Sequence, residues 1–285
     1  MFGGINFAEE IVYNDLYILN TDTWEWSYVG EKGEEIHERN SHSLDILDYG
    51  ESDGKYLFLY GGASPERGVF KDAFYARLPD TDDEIVSDMK SFHVEWRKLN
   101  DDAGNMIYES ERPGNREMHG TCVVGGKQLF LIGGRNEQGI MFHDAWKLTK
   151  ESSIDSSATN NLFIWGRVDF LELPFKCCAH TLNATLGTDG MEHLCLFGGF
   201  QERDGNVGIS NELFSCPILP SSSGWQQVLC EDSESLPSRR FGHCSTELCA
   251  SDDNSKPAAI VIFGGVKEDE DLSDVWIIGT HAASP

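Results

Sequence analysis

The sequence predicts an all-β fold in which one four-stranded antiparallel unit is used several times over. Three observations predict it. A short apolar run ending in a glycine pair recurs as MFGG, LFLYGG, LFLIGG, LCLFGG and IVIFGG. No convincing stretch keeps a 3.6-residue apolar period, whereas short runs bounded by Gly, Pro, Asp and Ser dominate. An acid-plus-aromatic step returns after each glycine pair, followed in the same order by a tryptophan after four of the five. The pairs are Gly3 and Gly4, Gly61 and Gly62, Gly133 and Gly134, Gly198 and Gly199, and Gly264 and Gly265. Their spacing of 58 to 72 residues marks one supersecondary unit repeated. A single domain over residues 1–285 is expected, with repeats at approximately 1–29, 39–99, 112–168, 174–228 and 237–279.

Each repeat reads as strands A to D. Strand A follows an Arg-x-x-His step: Arg39 and His42, Arg116 and His119, Arg240 and His243. The fourth copy keeps His180 but carries Cys177 where the arginine would stand. Strand B is the β-branched and aromatic run before the glycine pair. In VVGGKQLFLIGG the pair Gly125 and Gly126 joins A to B as a tight hairpin. Strand C carries an acid, an aliphatic or small residue and an aromatic: Asp15/Leu16/Tyr17, Asp72/Ala73/Phe74, Asp144/Ala145/Trp146, Glu212/Leu213/Phe214 and Asp274/Val275/Trp276. Strand D is marked by Trp26, Trp96, Trp165 and Trp225.

Four antiparallel strands per repeat, with no helix to cover a sheet, bury both sheet faces by radial stacking. The expectation is a β-propeller of about five four-stranded blades, the first and last incomplete. The glycine pair, the strand C acid and aromatic, the strand D tryptophan and the Arg-x-x-His step together resemble kelch repeats over almost the whole chain. Cys177, Glu212 in place of aspartate, and repeats longer than ~50 residues depart from that pattern.

Recurrence assigns roles. A group that does chemistry is needed once, while a group that ties blades together is needed in every blade. The glycine pairs give positive φ and close backbone approach; the tryptophans give packing. The arginines and the histidines His42, His119, His180 and His243 are read as structural, the imidazoles hydrogen-bonding main chain or a neighbouring carboxylate.

Composition narrows the function. Apolar residues make up 40% of the chain and aromatics 11%, enough for a core. A formal charge of -26 repels nucleic acid and anionic membranes, so neither is an expected partner. No basic-then-apolar leader is visible at the start, and none of the eight cysteines forms a C-x-x-C. Reduced core thiols and a cytoplasmic or nuclear setting follow as the expectation.

Two rims are expected, one from the B to C and D to A connections and one from the others. The second is acidic, with runs at 48–54, 79–90 and 250–258. The first carries Arg67, Arg112, Arg135 and Arg203 among Phe70, Met106, Ile107, Tyr108, Met141, Phe142 and Phe200. Arginine beside large apolar residues on scaffolded loops is the composition of binding hot spots. The resemblance to kelch proteins implies a protein or peptide partner on this rim, an acidic motif being one candidate.

Catalysis is the competing reading. Kelch-like copper oxidases need a Tyr–Cys pair with further Tyr and His ligands, a set that the sequence does not assign to single positions here. Kelch-like specifier proteins use Glu-x3-Asp-x3-His, and Glu84, Asp88 and His93 are one residue too long. No zinc spacing, phosphate loop or Gly-x-Ser-x-Gly is present, so no metal or cofactor is expected. An enzyme with polar residues around a central channel, or the recognition part of a BTB or F-box ligase adaptor, remains as an alternative. The first repeat lacks strand A and the last lacks strand D, which reads as an excerpt from a longer propeller or as closure with three-stranded end blades.

Overall fold

In the computed structural model, residues 1–79, 92–99, 112–151, 163–187, 189–229, 236–249 and 257–279 are described. Among them every regular element is a strand, apart from one 3-10 turn at Asp169–Leu171. Two compact units divide the chain. The first holds Met1–Glu117, Gly125–Leu129 and Leu148–Gly166, and the second Met118–Val124, Phe130–Lys147 and Arg167–Pro285.

The first unit opens with the antiparallel meander β1 (Phe2–Asn6), β2 (Ile11–Asn20) and β3 (Glu25–Gly33). Next come β4 (Ser43–Asp48) and β5 (Lys55–Tyr60), then the short hairpin of β6 (Ala63–Ser64) and β7 (Gly68–Val69), then β8 (Ala73–Arg77) and β9 (His93–Lys98). The order β9-β8-β5-β4 matches strands D, C, B and A. What the sequence did not announce is the parallel pairing of β3 with β9, which joins both groups into a seven-stranded sheet. Gly33 permits it: with φ at +86, it lies where a Cβ would be 2.3 Å from the Trp96 carbonyl oxygen.

A third group, β10 (Gly120–Val124), β11 (Gln128–Ile132), β12 (Ala145–Lys150) and β13 (Phe163–Arg167), forms a four-stranded sheet. Gly125 and Gly126 both take positive φ in the β10–β11 turn, as a tight hairpin of right-handed twist requires. In the second unit β14 (Lys176–Cys178), β15 (Thr181–Leu186), β16 (Glu192–Phe197), β17 (Phe200–Arg203), β18 (Asn206–Ile209), β19 (Leu213–Pro217) and β20 (Gln226–Val228) follow. Of these, β15-β16-β19-β20 is a complete A-B-C-D sheet, and β14-β17-β18 is a small sheet beyond the glycine pair. The last group is β21 (Cys244–Cys249), β22 (Pro257–Phe263), the two-residue strands β23 (Val266–Lys267) and β24 (Glu270–Asp271), and β25 (Val275–Gly279). Its sheet is β21-β22-β25.

Successive strand side chains point to opposite faces, so position relative to the glycine pair decides which sheet a residue meets. Residues one or three before the pair, and one or three after the strand C acid, face the following sheet. Those two or four away face the preceding one. Three clusters obey this. In the first, Phe2, Leu16 and Ile18 meet Leu57, Leu59, Phe74 and Ala76. In the second, Phe130, Ile132 and Ala145 meet Leu194, Leu196, Phe214 and Cys216. In the third, Cys195, Phe197 and Leu213 meet Ile260, Ile262, Trp276 and Ile278. Each buried side chain of this size contributes about 1.5–3 kcal/mol.

Candidate functional site

The recurring arginines before strand A form a lock, seen in full at Arg39 and Arg240. Arg39 is fully buried and donates from Nη1 to the Gly61 carbonyl at 2.9 Å and to Asp72 at 2.7 Å, from Nη2 to Asp72 at 3.2 Å and from Nε to the His37 carbonyl at 3.1 Å. Arg240 repeats this on Gly264 (2.9 Å) and Asp274 (2.6 and 2.8 Å). Arg240 holds the Asp274 carboxyl at about 2, helped by the Trp276 indole. Arg116 is buried too, its Nε donating to the Gly114 carbonyl at 3.2 Å.

In four repeats the second glycine of the pair donates its N–H to the carbonyl at the arginine position of the next repeat: Gly4 to Arg39, Gly62 to Arg116, Gly134 to Cys177 and Gly199 to Arg240. Cys177 therefore keeps the main-chain half of the lock. Gly265 keeps the expected positive φ and close backbone approach without that tie. Among the described residues, no carbonyl at the arginine position of another repeat accepts its N–H. Gly265 serves its own repeat instead. Its carbonyl accepts the Leu272 N–H at 2.8 Å, and at a φ of +95 its missing Cβ would lie 2.8 Å from that of His243 and 2.9 Å from the Phe241 carbonyl oxygen. Close approach keeps this position glycine without any tie to a neighbour.

Arg203 supplies the missing half of the lock in the fourth repeat. From the β17–β18 hairpin its Nη2 reaches Glu212 at 2.5 Å and Gln201 at 2.7 Å, and the guanidinium lies 4.5 Å from the Phe175 ring centroid and 5.4 Å from that of Phe214. Arg39 sits likewise over Phe70 (4.1 Å) and the strand C Phe74 (5.6 Å). The longer acid at 212 meets a cation that comes from farther along the chain, so Cys177, Arg203 and Glu212 form one compensated set.

The histidines fill the space between repeats. The Cβ that Gly3, Gly133 and Gly198 lack would stand 3.3, 3.0 and 2.9 Å from the Cε1 atoms of His42, His180 and His243. Burial pushes these imidazoles down, to about 4 for His42 and His243 and about 3 for His180. The expected main-chain or carboxylate partner holds for His42, which bonds the Phe2 main chain. It is corrected for the other two. His243 Nε2 pairs with the Thr181 hydroxyl at 3.0 Å, and His180 Nε2 lies 3.9 Å from the Cys177 thiol. A carboxylate there would itself be buried among apolar residues, at high desolvation cost. His119 is half-buried.

The tryptophans differ among themselves. Trp96 is buried with its indole N–H on Glu31 at 2.8 Å, and burial raises the Glu31 carboxyl. Trp165 packs edge-on to Phe58 and Tyr60, Trp225 donates to the Leu171 carbonyl at 2.8 Å, and Trp26 is exposed.

On the expected docking rim, many side chains are engaged within the chain. Arg67 is exposed but paired with Glu38 at 3.2 Å, Phe70 lies under Arg39, and Phe200 stacks on Phe241 at 4.4 Å. Met141 is buried and so presents no contact surface. Phe142, Arg112 and Arg135 are half-buried, and a bridge from Phe142 to Cys177 ties the hairpin at Arg135–Met141 to the β14-β17-β18 sheet. Met106, Ile107 and Tyr108 lie outside the described residues, as do Glu84 and Asp88.

The tips of the B to C hairpins carry residues that the sequence reading passed over. Phe7 in the first unit is 82% exposed, and Ile140 and Val207 in the second are 54% and 59% exposed. Each stands on a fixed turn. Asn6 Oδ1 accepts from the Ala8 and Glu9 N–H groups, Asn136 Oδ1 from Gln138 and Ile140, and Asp204 and Gly205 both take positive φ. The signal was present as one large apolar residue beside Asn or Asp-Gly turn chemistry.

Chemistry-bearing groups are sparse. An apolar cleft of about 470 Å³ in the first unit is lined by side chains such as Leu44, Leu57, Phe92 and Val94, with Asp48 its only carboxylate among the described residues. His193 links Asp189 (3.0 Å) and Ser215 (2.9 Å), the order of a hydrolytic relay. Yet Ser215 is mid-strand, paired to Cys195 and Gln226, not on the sharp turn that exposes a nucleophile. Asp189 also accepts the Met191 N–H at 2.9 Å, so the set clamps a turn. Among the described residues, no three His, Cys, Asp or Glu side chains group as a metal site.

The family model for the KLHDC2/KLHL20/DRC7 Kelch-repeats domain matches residues 1–157. The chain belongs to the kelch-repeat family. This kelch chain is similar to Adagio-like protein 3 of Oryza sativa subsp. japonica, at 24% identity over 271 residues, covering 93% of the chain and 35% of that protein. An F-box/kelch-repeat protein of Arabidopsis thaliana is 25% identical over 277 residues, covering 90% of the chain and 48% of the relative. Kelch domain-containing protein 3 of Homo sapiens is 26% identical over 158 residues, covering 53% and 35%. The kelch chain thus spans about a third to a half of the length of these curated relatives. The solved structure of YjhT superposes with a TM-score of 0.60 at 13% identity, covering 96% of this chain and 76% of that one. Family and likeness together give the fold, an all-β kelch-type β-propeller. Kelch-repeat domains are in general protein-interaction domains.

Proposed function

We propose that this kelch chain is a non-catalytic adaptor that docks a protein or peptide on its B to C hairpins. One observation carries the reading: large apolar side chains, Ile140 and Val207 in the second unit and Phe7 in the first, stand exposed at the tips of turns fixed by their own hydrogen bonds. Rigid exposed apolar anchors lose little entropy on binding and suit a hot spot. The rim arginines act beside them. Arg67 and Arg203 already pair with Glu38 and Glu212, so an acidic partner motif has to displace those carboxylates, and apolar contact carries more of the affinity. Five buried, unbridged thiols among the described residues support an intracellular setting.

The test compares partner recovery by wild type, by Ile140→Glu with Val207→Glu, and by Arg67→Glu with Arg135→Glu and Arg203→Glu. Loss of a common set of partners in the apolar pair, with the fold retained by circular dichroism, is the expected result. Equal recovery by all three overturns the assignment. A second reading, the recognition part of a ligase adaptor, is favoured by the F-box/kelch-repeat relative, which matches over 90% of this chain. An F-box or BTB segment in the neighbouring reading frame would decide it.

A further inference from the structure

The hairpin of β17 and β18 in the second unit carries an open strand edge. Its two-residue turn, Asp204 and Gly205, has positive φ at both positions, and its register pairs Arg203 with Asn206, Gln201 with Gly208, Glu202 with Val207 and Phe200 with Ile209. Such a turn closes with the Asn206 N–H on the Arg203 carbonyl, and in an antiparallel pair every second residue then exchanges main-chain bonds. Asn206 and Gly208 therefore face β17, in phase with the Ser210 N–H, which donates to the Gly199 carbonyl at 2.9 Å. Val207 and Ile209 turn their main-chain groups outward. The far edge of β17 is taken, because β14 pairs along it from Lys176 to Cys178.

The second strand of such a hairpin is met at its base by the segment that opens the next repeat. Cys177 donates its N–H to the Phe142 carbonyl at 3.0 Å, and Arg240 donates to the Ser210 carbonyl at 3.1 Å. One residue on, Phe241 exchanges bonds with Val266 at 2.9 and 3.0 Å instead, so the cover of β18 stops at Ser210. Among the described residues, nothing beyond β17 pairs with the main chain of Val207 or Ile209. Exposed edges are ordinarily blunted by charge, proline or a bulge. Asn206–Ile209 reads NVGI, its register is continuous, and its first three residues are exposed.

We propose that an extended, basic peptide segment adds to β18 as a further strand, main chain to main chain at Val207 and Ile209. This rests on the docking reading and supplies its partner class, a strand donor. Local charge selects the sign. Asp204 at the turn and the run 268–271 on the next hairpin, acidic at every position, are all exposed, against Lys267 and Arg239. That hairpin is held to the same segment through the bridge of Phe241 with Val266. Lysine or arginine on the added strand answers these carboxylates, while its alternate apolar side chains lie beside Val207.

The probe is the capped hexapeptide Lys-Val-Lys-Val-Lys-Val, titrated to about 1 mM, which populates contacts of sub-millimolar affinity. Amide exchange followed by NMR reads the edge. The Val207 and Ile209 amides exchange fast in the free protein and become protected when the peptide binds. Ile209→Pro removes one outward donor, leaves the ladder to β17 and the Val207 side chain in place, and weakens binding at least about tenfold. A Glu-Val-Glu-Val-Glu-Val peptide binds at least about tenfold more weakly than the lysine peptide, whose own affinity falls with added salt. No binding of the lysine peptide overturns the proposal, as does binding that leaves both amides unprotected, equal affinity for the glutamate peptide, or an Ile209→Pro protein that binds like wild type. Failure of the docking reading shows elsewhere, as equal partner recovery by the Ile140→Glu and Val207→Glu protein, whereas the amide readout concerns β18 alone.

Discussion

Replacing Arg240 with alanine removes five hydrogen bonds from a fully buried side chain: two to Asp274, one to the Gly264 carbonyl and two to Ser238. Breaking a buried pair by deleting one partner costs about 3–5 kcal/mol, because the other is left uncompensated. Asp274 is partly open to water and keeps the Trp276 indole at 2.6 Å, which sets the expected loss at the lower end, about 3 kcal/mol. Arg240→Lys keeps the charge without the planar fork and loses about 1–2 kcal/mol. Urea denaturation, with hydrogen exchange of the β22 and β25 amides, measures both. The acid dependence supplies a second readout. The Asp274 carboxyl is held at about 2, below the unperturbed ~3.9, so its stabilisation is complete above about pH 4 and is lost as pH falls towards 2. Arg240→Ala flattens that part of the profile. A variant within about 1 kcal/mol of wild type, with its acid slope unchanged, refutes the lock.

Arg203→Ala costs only about 1 kcal/mol, since its half-exposed guanidinium pairs in high dielectric; a loss equal to that of Arg240→Ala contradicts this. Gly199→Ala destabilises by more than about 2 kcal/mol in thermal or urea melts, because φ is +77 and the new Cβ would lie 2.6 Å from the Cys178 carbonyl oxygen. His42, His180 and His243 stay neutral in the folded state down to about pH 5 by NMR. The stability from burying them neutral is full above about 6.5 and is lost as pH falls through about 4 and 3, whereas ordinary titration near 6.5 would refute the burial argument. Phe197→Ala loses about 3–5 kcal/mol as it empties the cluster with Ile260 and Ile262, and a loss under 1 kcal/mol removes that contact from the account.

Much of the fold was legible because strands report themselves locally. The apolar run, the acid-plus-aromatic step and the tryptophan each mark a strand by residue type, and all five repeats yield the strands so marked. Candidate site residues were harder. Phe7, Ile140 and Val207 have no period to follow, since one apolar residue in a turn looks the same whether it faces water or the core. Met141 shows the other outcome: near Ile140 in sequence, it is buried. The glycine pairs look alike in sequence, yet Gly199 donates across to Arg240, whereas among the described residues Gly265 bonds only within its own repeat. The substitution of Arg203 for the missing arginine depended on a hairpin folding back to Glu212, a contact that no spacing encodes.

By itself the sequence determined the unit of construction, its repetition, and which residues recur, because strand alternation and turn chemistry act over a few neighbouring positions. The tertiary structure decided which face of each sheet is covered and which cation answers which carboxylate. It also decided where β3 runs beside β9, through Gly33. Those are outcomes of packing between segments far apart in the chain, where burial and desolvation, not local preference, select the partner.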